Sequence, residues 1–213
     1  MSKAKDEGKR QNILQAATKI FGSKGFKATK ISEIAKEAGV ADGTIYLYFQ
    51  NKEDLLSAVF EFNMDRLILL TLEAMKKLTH PLQKLRSFIE THLKYIGEHR
   101  DLSRVFQVEL HQNNNHQDEK NNQKFHEYLE ILNQILKQGQ DLGWIRNDIN
   151  VEILKRVLFG SLSELAVNFS LNSNATPPVT QSAGQVFQII TEGLKTPQSA
   201  NKSLGDQTSL SAA

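Results

Sequence analysis

The chain has 213 residues, with 26 Lys+Arg against 24 Asp+Glu (net charge +2), 39% hydrophobic residues and no cysteine. That is enough apolar material for a folded core, and it excludes a disulfide scaffold, a zinc–thiolate site and a cysteine nucleophile. No apolar run approaches the roughly 20 residues that span a bilayer, and no apolar signal core follows the charged start, so the expected compartment is the cytoplasm.

The expected fold class is all-α. Prolines occur only at positions 81, 177, 178 and 197, and the apolar periodicity between them is helical. The first element, from about Gly8, places Ile13, Ala17, Ile20 and Phe21 on one face, with Gly22 and Gly25 available to end it. A short second helix, about Lys30 to Ala38, turns Ile31, Ile34 and Ala35 inward, with Thr29 as its N-cap. Gly39 then suits a left-handed turn. A third element runs from about Asp42 to Phe49. Asn51 and Asp54 read as a capping box that opens a long helix through Leu55, Leu56, Val59, Phe60, Leu67 and Leu70 to about Leu78.

Pro81 suits the first turn of the next helix, whose face is Leu82, Leu85, Ile89, His92, Leu93 and Ile96. A short helix follows around Leu102 to Leu110, and the Asn-rich stretch Gln112 to Gln123 reads as a loop. A helix with Phe125, Tyr128, Leu129, Leu132, Ile135 and Leu136 stops near Gly143, with Trp144 as a helix-end anchor. Val151 to Leu171 carries two apolar stripes. One is Leu154, Leu158, Ser161, Leu165 and Phe169; the other is Ile153, Val157, Gly160, Glu164 and Val167. A helix apolar on two sides is buried on two sides. Pro177-Pro178 breaks the chain before a last helix, Val179 to Lys195, with Ala183, Val186, Phe187, Ile190 and Leu194. The polar tail from Thr196 has no periodicity and is expected to be disordered. The total is about nine helices.

The net charge conceals a partition. Up to Lys52 there are ten Lys/Arg and five Asp/Glu, a net of +5, and the remainder is net −3. Inside the basic part lie two short helices separated by a glycine turn, Lys30 to Phe49, the arrangement of a helix-turn-helix. In such a pair the second helix enters the major groove of DNA. Gly43 and Thr44 at its start can offer a hydroxyl and free amides to a phosphate. Ala41 and Asp42 precede them at the same end. Tyr46 and Tyr48 can bond phosphates, Leu47 can meet a thymine methyl, and Lys52 can clamp a phosphate.

The residues Ile34, Ala35, Ala38, Gly39, Val40, Gly43, Thr44, Ile45, Tyr46, Tyr48, Phe49, Lys52, Glu53 and Leu55 stand in the order and spacing of the TetR family of bacterial repressors. The stretch from about 8 to 56 resembles that family throughout. One departure is Lys30, where the family often has a capping Thr; Thr29 is expected to cap one residue earlier and Lys30 to add a phosphate contact. The resemblance implies a DNA-binding domain at 1–52, a ligand-binding and dimerising domain at 53–195, and a tail at 196–213. It also implies a homodimer joined through its last two long helices. Ile153, Val157, Gly160, Glu164 and Val167, with Ala183, Val186, Phe187 and Ile190, are the interface residues this implies. Two recognition helices would then lie about 34–36 Å apart on operator DNA.

The stretch Val40 to Asp54 is most like the FadR branch of the family, which releases the operators of fatty-acid degradation genes when long-chain acyl-CoA binds; further along, Arg104 to Gln112 and Leu158 to Glu164 are also similar to that branch. That likeness implies an acyl tunnel lined by Leu93, Ile96, Phe106, Leu110, Phe125, Leu129, Leu158 and Leu162, and Arg100 and Arg104 against the CoA phosphates. The same apolar residues can equally serve as ordinary core. His111 stands where the branch commonly has Arg. A different hydrophobic effector, with control of an efflux pump, is the alternative. No paired-acid, nucleophile or phosphate-loop constellation points to an enzyme. The six histidines show no metal-ligand spacing, and His92 on an apolar face reads as a core histidine.

Overall fold

The long apolar-periodic segments that fall among the described residues are all helical. The computed structural model describes residues 2–99, 105, 119–171 and 179–194. Among the described residues there is no strand, and the helices are α1 (Ser2–Lys24), α2 (Ile31–Ala38), α3 (Asp42–Ile45), α4 (Lys52–Met75), α5 (Pro81–Glu98), α6 (Glu119–Asp141), α7 (Val151–Leu171) and α8 (Val179–Leu194). Of the short helix expected at Leu102–Leu110 only Val105 is described, and it is helical and buried. Pro177-Pro178 and the tail from Thr196 lie outside the described residues.

Several boundaries differ from the sequence expectation, each for a local reason. The first helix begins at Ser2 rather than near Gly8, because the charged start MSKAKDEGKR contains no breaker other than one tolerated glycine. The Asn-rich stretch read as a loop is helical from Glu119 onward. Asn lowers helix propensity only mildly, and the packed remainder of α6 carries those residues along. At position 70 the inward place goes to Thr71 instead. Thr71 is fully buried with its hydroxyl donating to the Leu67 carbonyl at 2.7 Å, and Leu70 is left 42% exposed.

Two apolar cores result. One joins Ile13, Leu14, Ala17 and Phe21 of α1 to Ile34 and Ala35 of α2, Ile45 of α3, and Leu55, Leu56 and Val59 of α4. The other begins at Phe60 and runs through α5, α6, α7 and α8. The cores therefore meet inside α4, between Val59 and Phe60, beyond the charge boundary at Lys52. In the larger core α5 is central, with α4, α6, α7 and α8 all packed on it. His80 caps α5, its Nδ1 accepting from the Leu82 amide at 3.2 Å, and Pro81 follows at the first helical position. Trp144 anchors the end of α6 edge-on to the His80 ring, 4.3 Å between centroids.

The seam between the cores is polar. Asn63 of α4 is buried, and its amide donates to the Thr18 hydroxyl of α1 at 3.1 Å and to the Val59 carbonyl at 2.8 Å. Its carbonyl accepts from the Tyr95 hydroxyl of α5 at 3.2 Å. Burial pushes the Tyr95 phenol up to about 12, so it stays a donor. A cleft of about 550 Å³ opens beside this network, with Thr18, Asn63, Arg66 and His99 on its walls.

Candidate nucleic-acid interface and sensing core

The recognition element is built on two buried anchors. Ile45 and Phe49, four residues apart, are 1% and 3% exposed and plug into the smaller core. Their intervening neighbours are turned out: Tyr46 is 58% and Leu47 81% exposed. Ala41, Asp42 and Gly43 are also exposed, while Thr44 and Tyr48 are half-buried. An exposed Leu and Tyr beside a basic surface are the residue types that meet thymine methyls and phosphates. The turn that presents this element is set by Gly39, whose φ of 68° lies in the left-handed region, with its amide and that of Val40 closing back on α2.

The element is shorter than the sequence suggests. The α-helix covers only Asp42–Ile45, and Leu47 and Tyr48 continue it with tighter bonds to Thr44 (3.2 Å) and Ile45 (3.0 Å). The Thr44 amide, expected to be free for a phosphate, is committed to the Ala41 carbonyl at 2.8 Å.

Two further expectations are corrected. Thr29 is not the cap of α2 and does not face outward. It is 3% exposed and its hydroxyl donates to the Gly25 carbonyl at 2.8 Å. The cap position belongs to Lys30, whose amide donates to the Glu33 carboxylate at 3.0 Å. Lys24 bonds the other oxygen of Glu33 at 2.5 Å, and these two contacts hold the Glu33 carboxyl below the usual range. Lys30 itself is exposed, as a phosphate contact requires. Lys52 is turned into the protein: its ammonium donates to the Phe26 carbonyl at 3.0 Å and the Thr29 carbonyl at 3.2 Å, and sits 4.5 Å from the centre of the Phe26 ring. It closes the loop between α1 and α2 against the start of α4.

The first turns of α1 have a role that nothing in the residue pattern signals. Asp6 accepts a short hydrogen bond from the Tyr48 hydroxyl, and Arg10, one turn on, lies over the Phe49 ring at 5.6 Å. The contact with Asp6 raises the Tyr48 phenol above its ordinary value.

In the larger core, Leu93, Ile96, Leu158 and Leu162 are fully buried in the common apolar cluster, which is the core-packing role. Phe125 is partly buried, edge-on to Phe159 at 5.1 Å, and Leu129 is half-buried. Arg100, Arg104, Phe106, Leu110 and His111 lie outside the described residues. His92 sits within an aromatic column: Tyr128 at 5.8 Å and Phe159 at 5.8 Å flank its ring, and Phe88 stacks on Tyr128 at 4.9 Å. Its Nδ1 shares a hydrogen bond with the Tyr128 hydroxyl at 2.9 Å, and complete burial pushes the imidazole down to about 4, so it is neutral. Burial likewise raises the Tyr128 phenol.

The outer stripe of α7 is open. Ile153 and Val157 are 61% and 57% exposed, Gly160 and Glu164 are exposed, and Val167 is half-buried. On α8 the expected face is partly wrong. Ala183 and Phe187 are buried in the core, Phe187 beneath the Arg86 guanidinium at 5.4 Å. The outward apolar residue is Ile189, at 72% exposure, with Val186 and Ile190 on the shoulder. The pattern of α8 has two apolar flanks, and α5 takes the one carrying Ala183 and Phe187.

Residues 13–59 match the family "Bacterial regulatory proteins, tetR family", and residues 60–193 match "YsiA-like protein, C-terminal region". The division between them coincides with the meeting of the two cores. The chain belongs to the TetR family of bacterial regulators. Members of this family are transcriptional regulators rather than enzymes. The chain is 33% identical to the fatty acid metabolism regulator protein of Bacillus subtilis over 87% of its own length and 95% of the relative's. Among solved structures it is similar to the fatty acid degradation regulator FadR from Bacillus halodurans (TM-score 0.77, 31% identity, 86% of this chain and 94% of that one). It is also similar to FadR from Bacillus subtilis in complex with stearoyl-CoA (TM-score 0.74, 31% identity, 86% and 98%). Among the described residues of this TetR-family chain, no cluster of His, Asp and Glu could hold a metal ion, and no helix is long and apolar enough to cross a membrane.

Proposed function

We propose that the protein is a cytoplasmic, homodimeric repressor of fatty-acid degradation genes that leaves its operator when a long-chain acyl-CoA binds the larger core. The observation that carries the reading is the likeness, over 86% of the chain, to a regulator solved with stearoyl-CoA. The outward row Ala41, Asp42, Gly43, Tyr46 and Leu47 on two buried anchors supports DNA reading, with Lys30 added on the exposed start of α2. The open stripe Ile153, Val157, Gly160 on α7, with Ile189 on α8, supports a dimer seam, because a second copy would bury these apolar groups. A Cβ added at Gly160 would meet nothing within 4 Å in the single chain, leaving room for a partner helix to approach.

Ligand and DNA must be coupled reciprocally, so the acyl-CoA has to favour a dimer whose recognition elements no longer match successive grooves. Arg100 and Arg104, proposed for the CoA phosphates, stand just before Val105 in sequence, and Val105 is 2% exposed within the smaller, DNA-reading core. The acyl chain itself would have to part residues such as Leu93, Ile96, Leu158 and Leu162, which pack together without it.

A mobility-shift assay on DNA from upstream of the chain's own gene, with and without C12–C18 acyl-CoA, tests the reading. The complex is expected to dissociate with acyl-CoA and to persist with free CoA. Persistence at saturating acyl-CoA would overturn the effector assignment while leaving the DNA-binding assignment in place.

A further inference from the structure

We infer that Asp6 sets the strength of DNA binding by holding the hydroxyl proton of Tyr48 away from the phosphate backbone. The inference rests on the proposed DNA-binding role and on Tyr48, half-buried beside the outward Tyr46 and Leu47, meeting a phosphate there. A phenol has a single O–H to donate, and phosphate oxygens only accept. In this structure that proton is donated to an Asp6 carboxylate oxygen. A phosphate arriving at the same face meets a hydroxyl already spent and a carboxylate of its own sign beside it.

The contact is built into the helix rather than incidental to a loose end. α1 extends without interruption from Ser2, so Asp6 is part of a helix whose later residues lie in the core. Arg10 is on the same face one turn further and covers the Phe49 ring. Asp6 and Arg10 thus grip the adjacent residues Tyr48 and Phe49. Glu7 is the other acid that acts on the Tyr48 phenol, but it makes no hydrogen bond to it and contributes only through its charge. DNA therefore has to exchange one partner for another: the Asp6–Tyr48 bond opens, the carboxylate swings to solvent, and the hydroxyl turns to a phosphate. Asp6 is a positioning residue, since it touches no DNA itself and acts through Tyr48.

A phosphate contact is independent of sequence, so a fluorescein-labelled mixed-sequence duplex of about 30 base pairs is a sufficient probe. Dissociation constants are measured by anisotropy at fixed salt for the full-length wild type, Asp6→Ala, Glu7→Ala, Tyr48→Phe and the Asp6→Ala/Tyr48→Phe pair. Asp6→Ala is expected to tighten binding five- to tenfold and Glu7→Ala by twofold or less, because both remove one negative charge but only the first frees the hydroxyl. In the Tyr48→Phe background the gain from Asp6→Ala is expected to shrink to that of Glu7→Ala. Without DNA, Asp6→Ala also returns the Tyr48 phenol toward its ordinary ionisation, followed by tyrosine absorbance. Equal gains from Asp6→Ala and Glu7→Ala, or an undiminished gain from Asp6→Ala in the Tyr48→Phe background, would overturn the inference and leave Tyr48 as a phosphate contact. If Tyr48→Phe changes nothing in either background, the DNA-facing role of Tyr48 fails and the inference falls with it.

Discussion

Replacing Lys52 with Met keeps the aliphatic stem and removes the ammonium that closes the α1–α2 loop. Two charge-assisted hydrogen bonds, to Phe26 and Thr29 at 3.0 and 3.2 Å, are lost together with a cation held 4.5 Å from the Phe26 ring. Hydrogen bonds from charged groups contribute about 1.5–3 kcal/mol each, and an exposed cation–π contact about 0.5–1. Lys52 is half-buried, so the lower ends of those ranges apply, and the expected loss is about 3.5 kcal/mol. For a chain of this size each kcal/mol lowers Tm by about 2–4 °C, giving a drop of about 10 °C. The discriminating assay pairs thermal melting with DNA affinity across salt concentrations. A phosphate-clamping lysine would contribute about 0.9 to the slope of log affinity against log salt. Lys52→Met is expected to melt early with that slope unchanged. A variant that melts like the wild type but loses about one unit of slope would refute the structural role and restore the clamp suggested by sequence.

Other perturbations have equally definite outcomes. Asn63→Leu removes the amide joining α1, α4 and α5 and leaves the Tyr95 and Thr18 hydroxyls short of a partner, so urea denaturation is expected to show a loss of about 2–3 kcal/mol. His92 has a folded pKa of about 4 against 6.5 in the unfolded chain, so the unfolded state binds the extra proton between these values. Its contribution to stability is complete above pH 6.5 and falls by about 3 kcal/mol as the pH drops to 4. His92→Gln is expected to flatten that stretch of the stability–pH curve relative to wild type; curves that remain parallel would rule out His92 as the group responsible. Val157→Glu places a charge on the open stripe of α7 without touching the core, so sedimentation should show a monomer and operator affinity should collapse, since two half-sites no longer act as one ligand. A variant that still sediments as a dimer would move the seam elsewhere.

The helix-turn-helix was readable because its constraints are local. Gly39 adopts the left-handed turn its position demanded, Ile34 and Ala35 face inward at helical spacing, and Ile45 and Phe49 are buried. Asn51 caps α4 as its type predicts, accepting from the Asp54 amide at 2.7 Å, although the Asp54 carboxylate reaches back to Gln50 rather than to Asn51 itself. The roles of Thr29 and Lys52 were not readable. A hydroxyl or an ammonium serves a phosphate or a backbone carbonyl with the same chemistry, and only the path of the loop from Gly25 to Thr29 decides which is in reach. The same limit applies to α8. Its pattern announces two apolar flanks, but not that Ala183 and Phe187 face α5 while Ile189 is left outside. Asp6 carried no signal at all, lying in a run of mixed charge that reads as a solvated end.

Helix α1 touches both ends of the communication problem. At Thr18 it is bonded to Asn63 in the seam between the cores, and at Asp6 it is bonded to Tyr48 on the recognition element. Twelve residues of straight helix separate those points, about 18 Å at 1.5 Å per residue. A tilt of about 5° at the seam would carry Asp6 through about 1.6 Å, as much as separates a good hydrogen bond from none. Ile13, Leu14 and Ala17 lie between those points in the core that also holds Ile45 and Phe49, so a tilt that reaches Asp6 is one the smaller core has to follow.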